Sequence, residues 1–149
     1  MNKIMNKFLK FHCLPFHRKL MYPEALILSA YYRFQILHMP FKNLSPQIGT
    51  INYETSHEHC SDVILKEVAQ VIDGVCSHTP WESKCLVRAM AAKKMLNRRG
   101  YLCTLYMGVR LEKYGKMQAH AWLRCGDLYI TGGNGNHYTI TTIFGDCND

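Results

Sequence analysis

Two residues set the chemistry this chain can carry. Cys85 lies in Trp81-Glu82-Ser83-Lys84-Cys85-Leu86-Val87-Arg88-Ala89-Met90, and His120 lies in Gln118-Ala119-His120-Ala121-Trp122-Leu123. The first stretch reads as the opening of a helix and the second as a strand. A thiol in the first turn of a helix meets unpaired backbone N–H groups and the positive end of the helix dipole, which favour the thiolate. The thiolate is the nucleophilic form, and an imidazole beside it completes the activation. The competing role of a free cysteine is that of a small buried hydrophobe. For a lone histidine it is that of a hydrogen-bonded core residue.

An imidazole in such a pair needs a third group to orient it. The nearest acid is Asp127, beyond a tight turn at the start of the next strand, with Asn134 and Asn136 in the following loop as alternatives. A metal reading competes, because His57, His59 and Cys60 cluster and Cys76 and His78 follow. Residues 61–75 between the two groups read as a helix, which holds them about 22 Å apart. No CxxC pair is present either, so the ligands do not converge. Gly132-Gly133-Asn134-Gly135 follows a strand but opens no helix, which excludes a phosphate-binding loop. The expectation is that neither a metal nor another cofactor is needed.

The elements that must position Cys85 and His120 follow from periodicity. Residues 1–21 are basic and irregular. A helix is expected from Pro23 to about Leu37, with Leu26, Ala30, Phe34 and Leu37 on one stripe widened by Ile27, Tyr31 and Ile36, so that it packs on two sides. Residues 40–56 read as a turn-rich linker in which Gly49-Thr50-Ile51-Asn52 is extended. A second helix follows Ser61 up to Gly74. The third runs from about Ser83 to Arg99 and is ended by Gly100. Its stripe of Cys85, Ala89, Ala92 and Leu96 is small enough for close approach. The period then changes from 3.6 to 2, giving strands over 101–111, 117–124, 128–131 and 138–144. Alternation places His120 and Trp122 on one face. Helices followed by an antiparallel sheet make an α+β fold. The organisation expected is a helical region and linker at 1–56 and a core at 57–149 within one compact domain.

Composition narrows the function. The net charge of +7 is concentrated in Lys3, Lys7, Lys10, Arg18 and Lys19 and in Lys93, Lys94, Arg98 and Arg99. Neither cluster interleaves with aromatic residues as a single-strand-binding surface does, so no nucleic-acid partner is expected. Seven cysteines are an odd number, and the basic start lacks an apolar signal core, which points to free thiols in a reducing cytoplasm. The most apolar run, residues 25–39, contains Arg33 and Gln35 and is shorter than the roughly 20 residues a membrane span needs.

Taken in order, Cys85-Leu86-Val87-Arg88-Ala89, Leu96, Arg99-Gly100, Met107-Gly108-Val109-Arg110 and Ala119-His120-Ala121-Trp122-Leu123 resemble the transglutaminase-like cysteine peptidases of lasso-peptide biosynthesis, the leader-peptidase part of the B protein. The resemblance covers about residues 80–133. It implies a papain-like core with Cys85 as nucleophile and His120 as general base. It implies Asp127 as third member, with the Gly132-Gly133 region also able to align, and Trp81 and the Cys85 N–H as oxyanion donors. The helix ending in Met39-Pro40-Phe41 resembles the family's front half. With no strands before residue 60 for a winged-helix domain, the chain resembles the split type. Its implied partners are a precursor leader peptide, a separate leader-recognition protein and the lasso cyclase. Acyl transfer to an amine and a non-catalytic binding role are the alternatives.

Overall fold

The computed structural model describes residues 10–57 and 62–147. Helices α1 (Phe16–His38) and α2 (Phe41–Ile48) come first, then a short strand β1 (Thr50–Ile51) and helices α3 (Asp62–Cys76) and α4 (Cys85–Asn97). Strand β2 (Cys103–Leu111), a 3-10 turn at Lys113–Gly115, and strands β3 (Met117–Cys125), β4 (Leu128–Thr131) and β5 (Thr139–Gly145) complete the chain. The sheet runs β1-β5-β2-β3-β4 and is antiparallel throughout. Helices followed by an antiparallel sheet are what the change of period predicts.

The two faces of the sheet differ. Cys103, Leu105, Leu123 and Cys125 point into the core, where they meet Leu65, Val68 and Ile72 of α3 and Ala89, Ala92, Met95 and Leu96 of α4. Alternation sends Tyr106, His120, Trp122 and Arg124 to the other face, where their side chains contact one another. Alanines at 89, 91 and 92 let α4 lie close to the strands, and Gly100 at φ 81° turns the chain out of the helix. β2 and β3 pair residue for residue from Cys103↔Cys125 to Leu111↔Met117. The thiols of Cys103 and Cys125 therefore stand opposite each other. Contact with Cys125 and burial both push the Cys103 thiol far above its ordinary range.

A buried charge pair pins α4 to the sheet. The Lys93 side chain is 4% exposed and donates to Asp146 Oδ1. Asp146 Oδ2 also accepts from Asn97 Nδ2 at 2.5 Å and from the Cys103 N–H at 2.8 Å. Thr55 Oγ1 donates to the carbonyl oxygens of Cys103 and Asp146.

The front half departs from the expectation in three ways. Residues 16–22 are helical, so α1 begins seven residues before Pro23, which sits inside it. Proline forfeits one intrahelical bond, but tertiary ties hold the first turns: His17 Nε2 to Glu67 at 3.2 Å, Arg18 to Gln70 at 2.5 Å and Lys19 Nζ to the His12 carbonyl at 2.9 Å. The buried face of α1 is Met21, Ala25, Ser29, Tyr32 and Gln35, whereas Leu26, Ile27, Tyr31, Phe34 and Leu37 of the expected stripe are exposed. The Ser29 hydroxyl donates to the Leu26 carbonyl and Gln35 Nε2 donates to Tyr31 Oη and Gln47 Oε1, whereas Gln35 Oε1 is buried without a partner among the described residues. Lastly, the expected linker contains α2, which buries Leu44 and Ile48; β1 within it is extended as expected. His59, Cys60 and Ser61 lie outside the described residues.

Truncating Asp146 to Ala leaves a buried ammonium unpaired and is expected to cost about 3 kcal/mol in urea unfolding. The double variant Lys93→Met/Asp146→Leu is expected to recover most of that loss. A cost below roughly 1 kcal/mol for Asp146→Ala would remove the pair's anchoring role.

Candidate active site

Cys85 is the first residue of α4 and is half-buried. Lys84 occupies the N-cap without a side-chain capping bond. The first helical bond runs from the Arg88 N–H to the Lys84 carbonyl at 3.1 Å, so the N–H groups of Cys85, Leu86 and Val87 have no partner within the helix. The expected start at Ser83 is two residues early, because the Ser83 hydroxyl meets Thr79 Oγ1 at 2.9 Å. Thr79 Oγ1 also contacts the Trp81 carbonyl at 3.1 Å. Glu82 pairs with Lys84 at 2.9 Å and Arg33 at 3.3 Å, and its hydrogen bond with Lys84 holds its carboxyl below the usual range. Trp81 Nε1 is buried and has no hydrogen-bond partner among the described residues.

His120 stands in β3 opposite Gly108. Its ring lies 4.7 Å from Tyr138 and 5.9 Å from Trp122, and Trp122 stacks nearly parallel on Tyr106 at 5.5 Å. A Cβ at Gly108 would come within 3.0 Å of the indole, so glycine is what admits the ring there. His120 Nε2 donates to the Gly132 carbonyl at 2.7 Å. A carbonyl only accepts, so Nε2 carries the hydrogen and Nδ1 remains to take or give a proton.

The residues expected to orient His120 lie elsewhere. Asp127 Oδ1 is 3.2 Å from His57 Nδ1 in the turn between β3 and β4, and Asn134 Oδ1 accepts the Asn136 N–H at 3.2 Å. The acceptor beside His120 is instead the main chain of Gly132. A Cβ at Gly132 would sit 2.5 Å from the Ala121 carbonyl oxygen and 2.8 Å from Trp122 Cβ, and its φ is 76°. Residues 132–138 lead from β4 to β5, crossing β3 and β2, and Gly135 rests on the Trp122 indole. The Gly132-Gly133 pair was the only sequence signal for this acceptor, since every residue carries a carbonyl.

Arg124 braces the same face from beneath. Its side chain is 2% exposed and donates to Tyr106 Oη at 2.8 Å, the Gly126 carbonyl at 2.6 Å, the Thr55 carbonyl at 2.8 Å and Glu54 at 3.1 Å. Burial works against the Arg124 charge, but Tyr106 and Glu54 more than offset it and raise its pKa. Burial, reinforced by donation to Glu54, pushes the Tyr106 phenol up to about 12.

No hydrogen bond joins Cys85 to His120. A cavity of about 190 Å³ opens between α3, α4 and β4, with Asp73 and Arg88 on one wall and Thr131 and Gly132 on the other. It is thus lined by Arg88, in the first turn after Cys85, and by Gly132, whose carbonyl holds His120. A larger apolar groove of about 740 Å³, between residues 10–26 and the end of α3, includes neither residue.

A thiol at the start of a helix packed on a sheet, with a histidine on that sheet, is the arrangement used for acyl chemistry through a thioester. A family model described as the Transglutaminase-like superfamily matches residues 33–145. The chain belongs to that superfamily. Comparison with curated proteins and with solved structures gives no match. Among the described residues no helix is long and apolar enough to cross a membrane.

Gly135→Ala, which drives a methyl group into the Trp122 ring at φ 67°, is expected to destabilise the fold by about 2 kcal/mol, read from the urea midpoint. Gly133→Ala, where nothing lies within 4 Å of the added Cβ but φ is 72°, is expected to cost less. Equal costs at the two positions would mean that backbone strain alone, not the indole, sets the penalty.

Proposed function

We propose that this protein is a cysteine peptidase that removes the leader peptide from a ribosomally made lasso-peptide precursor. The observation that supports the reading is the presence, within a transglutaminase-like domain, of a thiol at the uncapped start of α4 and, on the sheet that α4 packs against, of an imidazole whose Nε2 is already committed to Gly132. Nδ1 is then the nitrogen left for the thiol. Catalytic hydrogen bonds commonly tighten only in the substrate complex, so the reading requires leader binding to draw Cys85 Sγ and His120 Nδ1 together.

In this reading Cys85 gives its proton to His120, and Sγ attacks the carbonyl carbon at the end of the leader. The oxyanion forms against the Cys85 N–H and the Trp81 indole N–H. The imidazolium protonates the leaving amine of the core peptide, and the C–N bond breaks to leave a thioester. Water, deprotonated by His120, hydrolyses the thioester and restores the thiol. Neither metal nor nucleotide enters the balance. The released core passes to a separate cyclase. The superfamily name also suits transfer of the same thioester to a primary amine, which an added alkylamine intercepts as a mass-shifted leader.

Cys85→Ala and His120→Ala are each expected to lower precursor cleavage at least 1,000-fold with circular dichroism unchanged. Asp127→Asn is expected to stay within threefold, because its carboxylate faces His57. A fully active Cys85→Ala protein would end the peptidase reading, and a collapse in Asp127→Asn would return the orienting role to the acid.

The exposed apolar face of α1, with Ile27 67% and Phe34 61% exposed, is the surface we assign to a separate leader-recognition protein. Ile27→Glu/Phe34→Glu is expected to abolish co-elution with that protein and leader while the fold persists. Unchanged co-elution would move the contact elsewhere.

A further inference from the structure

Arg88 is bound to the segment that leads into Cys85, in a way that the helix start itself does not explain. Its Nε donates to the Ser83 carbonyl at 3.0 Å, two residues ahead of the thiol. Its Nη1 donates to Asp73 Oδ1 at 2.9 Å and its Nη2 reaches Ser77 Oγ at 3.4 Å, both at the end of α3. One planar guanidinium thus ties the lead-in of α4 to a second helix. Lysine has no such fork and makes no equivalent of the Nε bond.

The need for this tie follows from the missing cap. An N-terminus without a capping side chain leaves its first turn prone to fray, and Cys85 is the first residue of that turn. Thr79, through Trp81 and Ser83, fixes the lead-in from one side. Arg88 fixes it from the other, reaching back five residues from inside the helix. The same side chain forms a wall of the 190 Å³ cavity that Gly132 closes opposite. Arg88 and Gly132 thus line one cavity, which lies between the thiol's turn and the loop holding His120.

We infer that Arg88 is a positioning residue for the Cys85 thiol, acting through the Ser83 carbonyl and the α3 terminus and not by contact with substrate. For turnover this rests on the peptidase reading above; for the placement of the thiol it does not.

The experiment compares wild type, Arg88→Lys, Arg88→Gln and Arg88→Ala by two readouts. The first is the rate of iodoacetamide labelling at Cys85, followed by peptide mass spectrometry; the second is kcat and KM for precursor cleavage in the presence of the recognition partner. A misplacement of the nucleophile by about 1 Å costs on the order of 100-fold in rate. Expected are a fall of that order in kcat for Lys and Gln alike, KM within threefold, and Cys85 labelling at least threefold slower, with the melting temperature nearly unchanged. For Arg88→Ala, about 20 mM guanidinium chloride, far below denaturing levels, is expected to restore labelling and part of kcat, which a loss of fold would not allow. Labelling equal to wild type in Arg88→Gln overturns the inference. So does loss without guanidinium rescue together with a large drop in melting temperature, which would make Arg88 a purely structural brace. If wild type itself does not cleave the precursor, the peptidase reading fails while the labelling arm still decides the role of Arg88.

Discussion

A charge brought into a protein interior has to be matched there, and that requirement fixes this fold at Lys93 and Asp146. The ammonium is 4% exposed, and leaving it unpaired would cost several kcal/mol. Asp146 follows β5, Lys93 belongs to α4, Cys103 opens β2 and Thr55 precedes α3, and all four meet at one carboxylate and its backbone. The helix therefore cannot slide along the sheet without breaking several bonds at once. Cys85 is eight residues ahead of Lys93 on the same rigid rod, roughly 12 Å along its axis. The position of the thiol is in this sense set from the far end of the helix.

The opposite face of the sheet does different work. Helix-side positions of β2 and β3 are filled with aliphatic side chains and with two thiols, of which Cys125 donates to the Leu102 carbonyl at 3.3 Å. The other side carries a tier of rings and a buried guanidinium: Tyr106 on Trp122, Tyr138 on His120, and Arg124 beneath. Trp122 supports the loop from β4 to β5 at Gly132 and Gly135, and that loop supplies the oxygen to which His120 is bound. The imidazole is thus oriented by a chain of contacts that begins with an indole two residues away in its own strand.

Much of this was legible in the sequence. The strands were, because residue types change with period 2 along β2 and β3 although both faces are buried where the two strands meet, and β4 matched to the residue. The shared face of His120 and Trp122 followed from the same alternation, and α4 was legible to within two residues of its start. The front half was not legible, because α1 carries two plausible stripes and the one containing Ser29 and Gln35 is buried. Which stripe turns inward depends on packing that the helix's own residues do not encode, Gln47 of the following helix against Gln35 among it. The sequence places Lys93 in a basic cluster and does not show its burial, because its counter-charge is 53 residues away. The orienting acceptor of His120 was reachable only as the Gly132-Gly133 alternative to Asp127, because a main-chain oxygen leaves no letter in a sequence.

That last feature changes what mutation can do to the site. A side-chain acid or amide can be deleted by one codon change, leaving the surrounding backbone as it was. The oxygen of Gly132 is immune to such deletion, since any residue placed there brings the same carbonyl. What it is vulnerable to is addition, because a single methyl group at 132 meets the Ala121 carbonyl and the base of Trp122. The tolerance of the site to random change is therefore inverted relative to a side-chain triad. The acceptor that holds His120 is protected by being nameless, and its weak points are the two glycines, 132 and 135, whose emptiness makes room for it.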